Sequence, residues 1–158
     1  MKTGRLPRPL RVRATSDAID ANRVDYSDAF AVPVGDSDGR STEDWARASL
    51  EGAPIGLRWF IVAGWRFVLG LRIGPRQAAD HVLGWQITCR LPAETVLELR
   101  SRFLKAHLVF HRDAERLVWS TFVEYDHRIA AVIWPPVSLL HRRIVPYTLR
   151  RAATRAPG

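Results

Sequence analysis

Cysteine is nearly missing from this chain. Cys89 stands alone among 158 residues, so no internal disulfide forms and no multi-cysteine zinc or iron–sulfur site is built. Lysine is almost as scarce, with only Lys2 and Lys105, and arginine carries nearly all the positive charge. No uncharged apolar run reaches the ~18 residues that a membrane-spanning helix needs. Neither a Gly-x-Gly-x-x-Gly nor a Gly-x-x-x-x-Gly-Lys phosphate loop occurs, and His-Glu-x-x-His and Gly-x-Ser-x-Gly are absent as well. These absences exclude nucleotide-binding and hydrolase classes with local signatures. They leave open a site assembled from distant positions.

What is present suits one domain of ordinary size: 47% of residues are hydrophobic and 25% charged, enough to bury a core and too apolar for disorder. The net charge of +8 is unevenly placed. Residues 1–50 hold eight basic and eight acidic side chains, and after the last acid, Asp126, come Arg128, Arg142, Arg143, Arg150, Arg151 and Arg155. A basic end of this kind attracts phosphates or an anionic membrane face. It also suits the solvated tail of a helix, whose negative end favours cations, and this plainer reading is preferred. Residues 1–23 are basic and interrupted by Pro7 and Pro9, which predicts a flexible arm before a single α+β domain over 24–155. Without a secretory signal or a disulfide, the expected location is the cytoplasm.

The pattern along the chain predicts the elements. Tyr26, Asp28, Phe30, Val32 and Val34 fit a first strand, ended by the Gly35–Gly39 turn. Ser41 or Thr42 caps a helix around Trp45, and a second helix is predicted over Leu57–Leu71, its apolar arc buried against a sheet. From Gly84 the period changes to two, giving four strands joined by short connections. From Val137 an apolar arc of Val137, Leu140, His141, Ile144, Val145, Tyr147, Thr148 and Ala152 opposes Arg142, Arg143 and Arg150. That arc predicts a long C-terminal helix covering the packed face of the strands, curved by Pro146. The expected architecture is α+β: a curved antiparallel sheet of about five strands on that helix, with two helices inserted after the first strand.

Candidate functional residues follow from this placement. His107 and His111 fall on a strand, where four residues span ~13 Å, too far for one ion held at ~2.1 Å per ligand. They read as polar-face residues, and neither a metal nor a cofactor is expected. Cys89 is placed on the apolar face with Trp85 and Ile87, where a free thiol packs as a small hydrophobe. His141, inside the apolar arc, is held either as a hydrogen-bonded core residue or as a proton-transfer group facing a cavity. Trp85, Leu99, Leu108, Trp119, Thr121, Tyr125 and His141 are the expected lining of that cavity, with Tyr125 and His141 the only catalytic candidates. The basic tail has no interleaved aromatic apart from Tyr147, which the arc is expected to turn inward, and this argues against nucleic acid.

The Glu43–Ala48 helix, the Trp65–Leu71 run, Thr121–Asp126 and above all His141-Arg-Arg-Ile-Val-Pro146 resemble the bacterial family known as domain of unknown function twenty-eight sixty-seven, over about residues 24–153. The resemblance implies a helix-grip-like shape of the polyketide-cyclase or lipid-transfer type. It also implies members that occur alone or behind a short-chain-dehydrogenase-like nucleotide-binding module. Such a module would here be a separate partner protein. The leading expectation is a binding module for a small hydrophobic ligand. A cyclase- or dehydratase-type enzyme and a peripheral membrane or partner-binding protein are the alternatives.

Overall fold

The computed structural model describes residues 8–35, 38–113 and 115–155 of the chain. The first seven residues of the basic arm, Asp36 and Ser37 of the first loop, and Ala114 lie outside these. Eight strands form one antiparallel sheet: β1 (Leu10–Val12), β2 (Tyr26–Pro33), β3 (Gln77–Ala78), β4 (His81–Val82), β5 (Trp85–Leu91), β6 (Glu94–Arg100), β7 (Leu104–Arg112) and β8 (Arg116–Tyr125). Their order is β1-β2-β8-β7-β6-β5-β4-β3. The expected count of about five is therefore too low. The four-strand alternation from Gly84 and the first strand are all there. The additions are β1 and the two-residue pair β3 and β4, too short to show a period.

Between β2 and β3 the chain forms α1 (Thr42–Leu50) and α2 (Ile55–Ala63), the latter continuing as a π turn over Gly64–Val68. This insertion carries the chain from the β2 side of the sheet to its far edge. The long helix α3 (Ala130–Thr154) closes the fold. It begins seven residues before the predicted Val137 and runs through Pro135 and Pro136, its sixth and seventh residues, although each lacks the N–H of an i→i−4 bond. The core lies between the inner sheet face and the helices, with Trp45, Leu97, Phe110, Leu117 and Leu149 all essentially inaccessible.

Local chemistry explains the helix starts and the turns. Ser41 Oγ accepts from Asp44 N at 3.1 Å while Asp44 Oδ2 accepts from Ser41 N at 2.9 Å, a reciprocal cap on α1. Ser41→Ala should cost about 1 kcal/mol, read as a fall of roughly 2–4 °C in Tm. Arg47 then ties α1 to the β3–β4 edge, donating to Glu43, Glu51 and the His81 carbonyl. Between β4 and β5, Leu83 and Gly84 both hold positive φ, 47° and 86°. A Cβ at Gly84 would sit 2.1 Å from Ile73 Cγ2, so only glycine fits there.

Two expectations about faces are corrected. The ordered chain begins well before Val24: Leu10–Val12 pairs with Ala29–Ala31, and Ala14, Ile19 and Val24 pack on Val96, Val109 and Phe122 across the outer sheet face. Cys89 belongs to that outer cluster rather than the inner face of Trp85 and Ile87, because the register shifts between Ile87 and Cys89. A bulge of this kind moves every later side chain to the opposite face. No helix among the described residues is long and apolar enough to cross a membrane.

Candidate functional site

A cavity of about 710 Å³ opens between the inner sheet face, the α2–π segment and α3. Its floor is Trp85 from β5, Ala106 and Leu108 from β7, and Trp119 and Thr121 from β8. Helix α3 supplies one wall through Ile133, Trp134, Val137, Leu140, His141 and Ile144. The α2–π segment supplies the other through Phe60, Ile61, Gly64, Phe67 and Val68. Antiparallel pairing aligns the floor, since Leu108 lies opposite Thr121 and Phe110 opposite Trp119.

Of the residues expected to line a cavity, the fold brings together Trp85, Leu108, Trp119, Thr121 and His141. Leu99 and Tyr125 are not among them. Leu99 is buried in the core beside the cavity, opposite Ala106. Tyr125 ends β8, where its backbone N donates to Asp25 Oδ2 at 2.6 Å. Burial, and then the charge of Asp25, push its phenol above the usual range. The long α2 arc is also placed differently from expectation. Phe60, Phe67 and Val68 form an open wall instead of packing on the sheet, and they are 54%, 79% and 51% exposed.

One polar cluster interrupts the apolar lining. His141 Nε2 lies 3.1 Å from Thr121 Oγ1 and 3.4 Å from Asp28 Oδ2. Asp28 projects from β2 directly opposite Thr121, with its side chain wholly buried. Tyr26, two residues earlier on the same face, donates its hydroxyl to Asp28 Oδ2 at 2.5 Å and accepts from Arg142 Nε at 3.0 Å. Trp134 packs edge-on against Tyr26 with centroids 5.2 Å apart, and its ring lies 5.6 Å from that of His141.

The electrostatics follow from these contacts. Burial pushes the Asp28 carboxyl up, but the hydrogen bond and charge of His141, with the Tyr26 hydroxyl and the charge of Arg11, outweigh it. The net direction is below the usual carboxylate range. Burial first, and the bond to Asp28 second, push the Tyr26 phenol up to about 12, so it stays a neutral donor. His141 Nε2 faces both the Thr121 hydroxyl and the Asp28 carboxylate, and a proton on that nitrogen can be donated to either oxygen. Chemically this is an imidazole braced by a carboxylate at the edge of a mostly apolar space.

Asp28, Tyr26, Trp134 and Arg142 were missed as site residues by sequence reasoning. The available signal was Asp28 itself, a carboxylate in an inward row of Tyr26, Phe30 and Val32. A buried acid needs a partner, and His141 was the one imidazole already assigned inward. His107 and His111 lie on the outer face. There, Nε2 of His107 is 3.4 Å from Glu98 and Nδ1 of His111 is 3.6 Å from Glu94. Burial lowers the His107 pKa despite the carboxylates beside it. Among the described residues no three His, Cys, Asp or Glu groups converge as a metal site.

The fold and cavity thus define an α+β protein in which an antiparallel sheet and a C-terminal helix flank an apolar space with one acid–imidazole pair in its wall. Residues 20–148 match the family described as "Protein of unknown function (DUF2867)", and the chain belongs to that family. Comparison with curated proteins and with solved structures finds no match.

Proposed function

We propose that this protein is a cytoplasmic binding module for a small apolar molecule carrying one polar group, held in a helix-grip-like fold. The observation that carries this reading is the cavity's make-up: about 710 Å³ of space, mostly apolar, with Thr121 and His141 meeting in its wall and Thr148 the one other hydroxyl side chain. Ligand sites in general have this size and this economy of polar groups. The apolar body of the ligand would lie on Trp85, Leu108 and Trp119, with a hydroxyl or carbonyl on the His141–Thr121 side.

The test is thermal shift with a fatty acid, a polycyclic aromatic and a sterol as probes. A fitting probe at about a hundred times its Kd adds about 2.7 kcal/mol of stability. Ala106→Phe, which fills the floor without touching the polar cluster, should weaken that probe by at least about tenfold. A melting temperature unmoved by every probe at saturation would overturn the reading.

The Asp28–His141 contact favours a second reading, an enzyme of the cyclase or dehydratase type with His141 as the proton acceptor. On that reading a bound carbonyl compound exchanges its α-proton for deuterium, and His141→Gln stops the exchange while the fold survives. Absence of exchange from every bound carbonyl compound leaves binding alone.

A further inference from the structure

We infer that the mouth of the cavity docks on an anionic membrane surface, the α2–π segment and the facing turn of α3 entering the headgroup layer. The mouth is defined by residues that both border the cavity and face solvent: Phe60, Ala63, Phe67, Val68, Pro136 and Leu140. Phe67 is the most exposed large apolar side chain among the described residues, at 79%, and Leu139 beside the mouth is 63% exposed. Apolar surface gathered in this way on a water-facing protein marks an interaction site, whereas scattered single residues do not.

Charge selects the partner. Between Glu51 and Asp80 the chain has Arg58, Arg66, Arg72 and Arg76 and no acid, and after Asp126 it has six arginines and no acid. On the elements that frame the mouth the exposed arginines are Arg66 on the π turn and Arg143 on α3, while Arg58 and Arg76 line a separate cleft with Glu51. Among the described residues Arg58, Arg66, Arg76 and Arg143 form no ion pair with a carboxylate. The Arg66 guanidinium stays 5.7 Å from the ring centroid of Phe67 at the mouth. Aromatic rings with arginine beside them are the makeup of an interfacial helix on anionic lipid. A second copy of this chain would instead set arginine against arginine.

Docking by this face would place the opening against a hydrocarbon source, so that an apolar ligand enters without crossing water. That consequence rests on the binding reading above, whereas the docking itself does not. Co-sedimentation with extruded vesicles tests it, using phosphatidylcholine alone or with about 30 mol% phosphatidylglycerol. The protein should pellet with the anionic vesicles and be released by about 0.5 M salt. Phe67→Ser with Leu139→Ser, and separately Arg66→Glu with Arg143→Glu, should each lower partition by at least about tenfold.

The arginine pair lies outside the cavity lining, so its loss should leave any probe-induced thermal shift in place; failed docking and a failed pocket are thereby told apart. Protein that stays in the supernatant, or that pellets equally with pure phosphatidylcholine at high salt, overturns the inference. So does a dimer that the Phe67→Ser, Leu139→Ser variant converts to monomer while vesicle binding is absent.

Discussion

Replacing Asp28 by alanine is expected to lower stability by about 3 kcal/mol, a fall in Tm of roughly 6–12 °C. The carboxylate is wholly buried and holds two groups at once, accepting from Tyr26 and facing His141 Nε2. Alanine leaves the Tyr26 hydroxyl without its acceptor and the imidazole with Thr121 alone, and each buried unmade bond is costly. Asp28→Asn keeps an oxygen for Tyr26 and gives up only the charge, so its loss should be smaller, about 1–2 kcal/mol. The same pair dictates a pH dependence. Asp28 titrates below its ordinary 3.8 in the fold, so the unfolded chain binds the proton more readily. The contribution is therefore fully present above about pH 4 and is lost as pH falls through the depressed value. Urea unfolding at neutral pH and near pH 3 should show a gap between wild type and Asp28→Asn that shrinks in acid. An equal gap at both values would mean that folding does not depress the Asp28 pKa.

Trp134→Ala is expected to be at least as damaging, at about 3–5 kcal/mol. Trp134 is buried on α3, packs edge-on against Tyr26 and walls the cavity beside His141. Removing it takes away the surface that seats the helix on β2 and leaves a void continuous with the cavity. Trp134→Phe should cost less than about 1.5 kcal/mol, as a near-conservative swap. The indole Nε1 is buried without an acceptor among the described residues, so losing that N–H offsets part of the lost area. Denaturant midpoints for the two variants check the contrast. Near-equal losses would mean that the indole N–H, rather than ring area, holds this position.

The parts of the fold legible in the sequence are those written by short-range periodicity. Alternation from Gly84 onward predicts β5 to β8, and Ser41 followed by Asp44 predicts the start of α1. The apolar arc containing His141 predicts a terminal helix laid on the sheet. The errors have identifiable causes. The arc counted from Val137 stops short of the true start of α3, because Pro135 and Pro136 lack the backbone donors that a helix interior uses and so mask the turns before them. Pro7 and Pro9 with scattered arginines suggest a loose arm, yet Ile19 and Val24 are spaced to cover an outer apolar cluster that alternation alone does not reveal. Tyr125 is the tyrosine that strand alternation offers as a site residue, and nothing local distinguishes Tyr26. Only the pairing of Tyr26 with Asp28 and Arg142 does.

By itself, then, the sequence determined the class of elements, the face on which His141 lies, the charge carried by each segment and the family. The tertiary structure alone decided that β2 lies beside β8, which sets Asp28 opposite Thr121 and within reach of His141. It also decided that the apolar arc of α2 ends as an exposed wall instead of a packed layer. The physical reason is range. Periodicity reports which side of one element faces inward, whereas a site depends on which inward faces meet and whether side chains fill the space between them.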